Sequence, residues 1–165
     1  MTLATHAVVG AAIASSIPHH PILGFTLAFA SHFVLDAIPH WDYPLSSSKT
    51  DDENRMNDDM VMDKTFYFDL SRIALDMSCG VLLALAFFSL SSPYLFWVPI
   101  VGVCGATLPD ALQFVYWKWR HQPLIALQRF HLWIHSKVNF NERPIIGVPF
   151  QIVVIILTIA AAKLL

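Results

Sequence analysis

The chain has 165 residues, of which 56% are hydrophobic and 13% are charged, with a formal net charge of −2. A soluble domain usually carries about one-quarter charged residues, so this composition excludes an ordinary soluble domain and predicts a membrane protein. The near-neutral charge gives no reason to expect a nucleic-acid partner. The length suits one domain, so residues 1–165 are treated as a single membrane domain.

Five apolar segments predict an all-α bundle of about five membrane helices. They cover about residues 4–17, 22–38, 66–90, 94–117 and 145–165. The first segment is shorter than the roughly 20 residues that a span needs, so a re-entrant segment is the alternative there. Its many Ala, Gly and Ser residues predict close packing against other helices. Ser91, Ser92 and Pro93 predict a tight connection between antiparallel neighbours.

Two longer polar connections link these segments. Residues 44–65 are acidic and poor in β-branched residues, which predicts a mobile cytoplasmic loop with solvated carboxylates. Residues 121–138 place apolar residues at helical spacing and put Gln128, His131 and His135 on another face. This pattern predicts an amphipathic helix at the membrane surface.

The basic residues predict the orientation of the chain. If all five segments span, nine of the ten Lys and Arg residues fall on one side, and only Lys163 falls on the other. The positive-inside rule places the first side, with the N-terminus, in the cytoplasm, which predicts an integral protein of the inner (cytoplasmic) membrane. The same topology gathers most of the His and Asp residues of the apolar segments near the cytoplasmic face.

Two histidine motifs indicate a cation site. His32 and Asp36 are four residues apart and therefore share a helix face. Burying Asp in a membrane helix costs roughly 2.5–3.5 kcal/mol, which a bound divalent ion would offset; a hydrogen-bonded helix-end pair is the alternative. His131 and His135 repeat the spacing, a common zinc arrangement, although a solvated polar face explains that pair better when it is taken alone.

Further ionisable residues lie in the later apolar segments. Asp110 follows a Leu-Pro pair that predicts a helix break turning the carboxylate inward. Asp76 is also flanked by apolar residues, so a structural role for either residue requires a buried partner. Asp69 and Arg72 are spaced for a helix salt bridge, and Arg72 is alternatively suited to hold a phosphate.

Four short patches resemble the LexA-regulated, membrane-bound family of predicted metal-dependent hydrolases. They are Thr5-His6, "SHFVLD" at 31–36, "LPD" at 108–110 and "HLWIHS" at 131–136. The second patch also resembles the HxxxD core of zinc-dependent phospholipase C and related single-strand nucleases, which bind a zinc cluster and hydrolyse phosphoesters. Leu112 stands where the family has a further Asp, and we infer that Asp76 fills that place.

The resemblance implies a metal-dependent hydrolase. The predicted ligands are His6, His32, Asp36, Asp110, His131 and His135. Six ligands exceed one tetrahedral site, so two ions are plausible; zinc suits the mixed donors best, with manganese or iron as alternatives. Asp76 is the predicted general base, and Asp36 is the second catalytic candidate. Supporting or substrate-contacting roles are predicted for His40, Asp42, Arg72 and Arg129.

Three functions remain open from the sequence. A site at the lipid–water boundary favours hydrolysis of a phosphoester of a membrane lipid, such as a phospholipid or a polyprenyl phosphate. The same residues would also suit a path for divalent metal ions or protons, or a structural role in a non-enzymatic membrane partner. The outer halves of the segments are almost wholly apolar, which favours a one-sided site over a transport path.

Overall fold

The computed structural model describes residues 1–89 and 96–164, which are mostly helical. The helices are α1 (Leu3–Ser16), α2 (Pro21–Asp36), α3 (Lys64–Ala84), α4 (Trp97–Lys118), α5 (Leu124–Ile134) and α6 (Pro144–Leu164), with a 3-10 turn at Arg55–Asn57 and a π-helical turn at Leu85–Ser89 that extends α3. The predicted connection at residues 91–93 lies outside the described residues.

Three helices are long and apolar enough to cross a membrane, namely Lys64–Ser89, Trp97–Lys118 and Pro144–Leu164. This finding indicates a membrane protein and agrees with the predicted all-α fold. Helices α1 and α2 are apolar but have only 14 and 16 residues, short of the roughly 20 that a span requires. The count of about five spans therefore stays a prediction.

Helix α1 lies at the centre of the bundle and packs against α2, α3, α4 and α6. Its small residues make this possible, because a Cβ atom on Gly10 would collide with the backbone oxygen of Gly102 in α4. Gly80 of α3 approaches Ala4 equally closely, since a Cβ there would lie 2.7 Å from Ala4 Cα. The expectation that the first segment packs closely through its small residues is confirmed.

Residues 44–65, predicted to form a mobile acidic loop, contain one short strand pair and a 3-10 turn. Strand β1 (Ser48–Lys49) pairs antiparallel with β2 (Asp59–Met60). The Lys118 amino group at the end of α4 contacts Asp59 at 2.7 Å, and Tyr116 Oη donates to a backbone oxygen of the segment at 2.8 Å. Several acidic side chains predicted to be solvated instead bond within the segment or to α4, and the mobility of the segment stays a prediction.

Helix α5 is shorter than the predicted helix over 121–138. Gln128 and His131 are buried, whereas Phe130 and Trp133 are exposed. The polar face thus lies inward and the aromatic residues lie outward, where a membrane surface would cover them. His135 is the first residue after the helix, and its N–H still donates to His131 O at 3.0 Å. The centroids of the His131 and His135 rings lie 6.0 Å apart, so the two side chains lie side by side as their four-residue spacing predicts.

Candidate metal centre

The site is built where the end of α2 meets the end of α5. Ser136 N donates to Asp36 O at 2.8 Å, and Phe140 N donates to His40 O at 2.8 Å. The segment after α5 therefore runs alongside the segment after α2. This backbone pairing brings His131 next to Asp36, although 95 residues separate them in the chain.

Four side chains form a cluster that we call the first group: His32, Asp36, Asp110 and His131. One ligand atom from each lies within 4.8 Å of the others. Asp36 Oδ2 is 3.1 Å from His32 Nε2 and 3.0 Å from His131 Nε2, and the two nitrogens are 3.3 Å apart. Neighbouring ligands of a tetrahedral zinc ion, with bonds of about 2.0–2.1 Å, lie about 3.3 Å apart. The first group therefore has the spacing of metal ligands.

The His32 ring is oriented by a backbone carbonyl. Its Nδ1 lies 2.8 Å from Ala106 O in α4. Since a carbonyl only accepts, Nδ1 carries the proton, and in the neutral ring Nε2 presents its lone pair to Asp36. A positive charge, either a proton or a metal ion, is needed between these two acceptors. A carbonyl bonded to the other ring nitrogen is the usual support of a metal-binding histidine.

Burial differs among the first group. His32, Asp36 and His131 are buried, whereas the side chain of Asp110 is 33% exposed. Asp110 Oδ1 lies 3.6 Å from His32 Nε2, the longest of the distances from that nitrogen within the group. Solvent therefore reaches the group from the side of Asp110. Helix α4 is continuous through Pro109, so the helix break predicted before Asp110 was wrong.

The second oxygen of Asp36 faces another set of groups. His6 Nε2 lies 3.1 Å from Asp36 Oδ1, and the amino group of Met1 lies 2.9 Å from the same oxygen. Asp36 also belongs to a second group with His40 and His135, whose ligand atoms again lie within 4.8 Å of one another. The predicted ligands thus converge on Asp36, but they divide between its two oxygens.

Two residues beside the second oxygen have shifted pKa values. Burial lowers the pKa of His135 below its ordinary value, and the Asp36 carboxylate opposes this only in part. Burial alone would raise the pKa of the Asp42 carboxyl, but the His40 ring and the Met1 amino group outweigh it, and the pKa lies below its ordinary value. A neutral imidazole and an ionised carboxylate are the forms that bind metal ions.

Asp76 has a different set of partners. Its carboxylate accepts from the backbone N–H groups of Leu3 at 2.8 Å and Ala4 at 3.3 Å, and from Tyr43 Oη at 3.4 Å. The first N–H groups of a helix have no partner within the helix and attract negative charge. Asp76 thus has the buried partner that a structural role requires, and its role as general base stays a prediction without geometric support.

The two predicted arginines lie in other surroundings. Arg72 Nη1 donates to Pro44 O at 2.7 Å and lies 3.9 Å from Asp69 Oδ1, so the predicted salt bridge is long. Asp69 accepts shorter bonds of 2.7 Å from the N–H and hydroxyl of Ser47. Arg129 is exposed on α5. Roles for Arg72 and Arg129 at the site remain predictions.

Sequence reasoning missed Gln151 of α6. This buried side chain accepts from Thr2 N at 2.9 Å and donates to Trp41 O at 2.8 Å. It therefore fastens the start of α1 to the segment that carries His40. A single amide side chain in an otherwise apolar segment was the available signal.

No family model, curated protein or solved structure matches this chain. The resemblance to the family of predicted metal-dependent hydrolases therefore stays a prediction.

Proposed function

We propose that this protein is an integral-membrane, metal-dependent hydrolase that cleaves a phosphoester of a membrane lipid at the cytoplasmic face. The observation that carries the proposal is the first group, in which two imidazole nitrogens and two carboxylate oxygens converge at ligand spacing. Such donors suit zinc, and they also accept manganese or iron.

The first group offers what hydrolysis requires of the protein. When bound, a divalent ion supplies Lewis acidity and allows water to act as a nucleophile near neutral pH. The buried residues His32, Asp36 and His131 hold and orient the ligand atoms. Asp110 is the member that solvent reaches, so it is placed to accept a proton from an entering water molecule.

The position of the first group supports a lipid substrate. It lies at the end of the bundle where α2 and α5 end and α1 begins, and α4 continues for about two turns past Asp110. The loops at this end carry most of the basic residues, whereas Lys163 lies at the opposite end, where its amino group donates to Phe87 O at 2.9 Å. With five spanning segments, the positive-inside rule makes the site cytoplasmic, within reach of lipid headgroups.

The packing further along α1 favours an enzyme over a transporter. A transport path requires polar groups through the depth of the membrane. The buried cluster formed by Ala7, Ala11, Ala84 and Val103 is apolar, with Met77, Val81 and Phe88 packed against it. A one-sided site above an apolar core suits a reaction at the membrane surface.

The test combines metal content with lipid hydrolysis. We expect the purified wild-type protein to bind a divalent metal ion and to release diacylglycerol or phosphate from phospholipid vesicles. Asp36→Asn should lose both properties, because both oxygens of Asp36 face imidazole nitrogens, and the exposed Asp52→Asn should keep both. Metal retained at the wild-type level in Asp36→Asn would overturn the site, and metal uptake into vesicles without hydrolysis would favour transport.

A further inference from the structure

One buried amide group lies on the inward face of α5, at Gln128. The residue is 2% exposed, and within the described residues its Nε2 has no hydrogen-bond partner. Buried polar groups are normally paired, because an unpaired one lowers stability. Since Nε2 only donates, the missing partner is a hydrogen-bond acceptor, and a metal ion cannot take this place.

Gln128 lies next to a member of the first group. It precedes His131 by three residues on α5, and residues three apart in a helix are neighbours on one face, with Cβ atoms about 5–6 Å apart. Gln128 is also buried to the same degree as the proposed ligands Asp36 (2% exposed) and His131 (4% exposed). The amide is therefore no less accessible than the ligands themselves.

The course of the chain places Gln128 on the outer side of His131. Helix α4 ends at Lys118, and five residues (119–123) join it to α5, which packs back against α4. These five connecting residues are all exposed. Helix α5 thus runs from the protein surface toward the first group, and Gln128 comes about one turn before His131. A molecule that reaches the first group from this surface comes close to the amide.

We propose that Gln128 binds the substrate, with its amide donating a hydrogen bond to a phosphoryl oxygen of a phosphoester held at the first group. The inference rests on the proposed function. Phosphoryl oxygens are strong acceptors, so they supply what the amide lacks. Because the amide is neutral, it forms no ion pair with the carboxylates of Asp36 and Asp110 when no substrate is bound, unlike the side chain of a lysine or an arginine.

A buried water molecule is the competing partner of the amide. A water that accepts from Nε2 would satisfy Gln128 without any substrate, and the residue would then be structural. The two explanations differ in what replacement of the amide does to stability. Loss of a structural hydrogen bond lowers it, whereas loss of an amide that is unpaired without substrate leaves it unchanged or raises it.

The experiment compares the same substitution at two buried glutamines. Methionine is close to glutamine in length but has no N–H group. Gln151 pairs with Thr2 N and Trp41 O, so Gln151→Met should unfold at a lower temperature than the wild type in detergent. Gln128→Met, measured without phosphate, should unfold at the wild-type temperature or above it. Gln128→Leu repeats the comparison with a side chain of different shape.

Phosphate binding is measured on the same proteins by titration calorimetry. The full chain is loaded with zinc, freed of excess metal and titrated with inorganic phosphate. We expect Gln128→Met to keep the wild-type zinc content and to bind phosphate on the order of 10-fold more weakly. Its rate of phospholipid hydrolysis should fall on the order of 100-fold, as is typical when one donor to the developing charge is removed.

The outcomes separate this inference from the proposed function. Equal phosphate affinity in the wild type and Gln128→Met would overturn the role of Gln128 and leave the first group intact. A lower unfolding temperature in both Gln128→Met and Gln128→Leu would reveal a structural partner and overturn the role without reference to metal or substrate. A wild type that binds no metal, or no phosphate when loaded, would overturn the proposed function and this inference with it.

Discussion

Asp36 Oδ2 lies 3.0 Å from His131 Nε2, and this contact joins the end of α2 to a helix 95 residues further along the chain. The adjoining backbone bond from Ser136 N to Asp36 O holds the same two segments together at 2.8 Å. The contact is therefore part of the fold. It places a buried carboxylate between the imidazole rings of His32 and His131.

His131 and Asp110 should contribute unequally to the first metal site. Loss of the buried His131 ring in His131→Ala should weaken metal affinity by at least the roughly 100-fold that the loss of a residue supporting a ligand can cost, whereas Asp110→Asn should weaken it only on the order of 10-fold, the lower end of that range. The reason is that Asp110 is partly exposed and lies 3.6 Å from His32 Nε2, so water can replace its ligand atom. Competition with a metal-chelating dye measures both affinities.

The hydrolysis rate separates the role of Asp110 as a metal ligand from its role as a proton acceptor. Asp110→Asn, at saturating metal, should lose more activity than its loss of affinity explains, because the carboxylate is placed to accept a proton. Full activity of Asp110→Asn at saturating metal would refute that role.

Removal of the metal should lower stability. Binding at a ligand concentration 100 times the dissociation constant stabilises a protein by about 2.7 kcal/mol, which corresponds to about 5–10 °C in unfolding temperature for a chain of this size. We expect EDTA to lower the unfolding temperature of the wild type in detergent by this amount. In Asp36→Asn the chelator should have little effect, and an equal shift in both proteins would argue against Asp36 as a ligand.

The local parts of the site could be predicted from the sequence. The spacing of His32 and Asp36 fixes them on one helix face, and both lie as predicted in one turn of α2, with Nε2 and Oδ2 3.1 Å apart. The small residues of α1 predicted its close packing. These features depend on helical periodicity alone, which is visible in any single chain.

The parts that depend on long-range contacts could not be predicted. The carbonyl of Ala106 orients His32 from another helix, and the amide groups that bind Asp76 belong to the start of α1. The spacing places His135 beside His131, but it could not show that the His135 ring also packs against the His40 ring from the segment after α2, with 4.9 Å between the ring centroids. His40 was expected to play a supporting role, whereas its Nε2 faces two carboxylates directly.

The close approach of α1 and α4 leads us to expect that larger residues at this contact destabilise the protein. Gly102→Val should destabilise the protein by more than the 1–3 kcal/mol of ordinary overpacking, because a Cβ there would collide with the backbone of Gly10. Gly24→Ala is the milder control, since its Cβ would lie 3.2 Å from Ala14 Cα. Thermal unfolding in detergent measures both variants, and equal stability of the two would contradict the backbone contact.

Asp76→Ala distinguishes a helix-capping role from a catalytic one. The carboxylate accepts from Leu3 N and Ala4 N at the start of α1, and loss of such a cap typically costs about 0.5–2 kcal/mol. We expect the variant to unfold at a lower temperature and to keep the wild-type metal content. Its hydrolysis rate per folded molecule should stay within about threefold of the wild type. A general base would give the opposite result, with the unfolding temperature unchanged and the rate reduced on the order of 100-fold or more. Measuring unfolding and hydrolysis on the same preparation decides between them, because only a capping residue changes the first without the second.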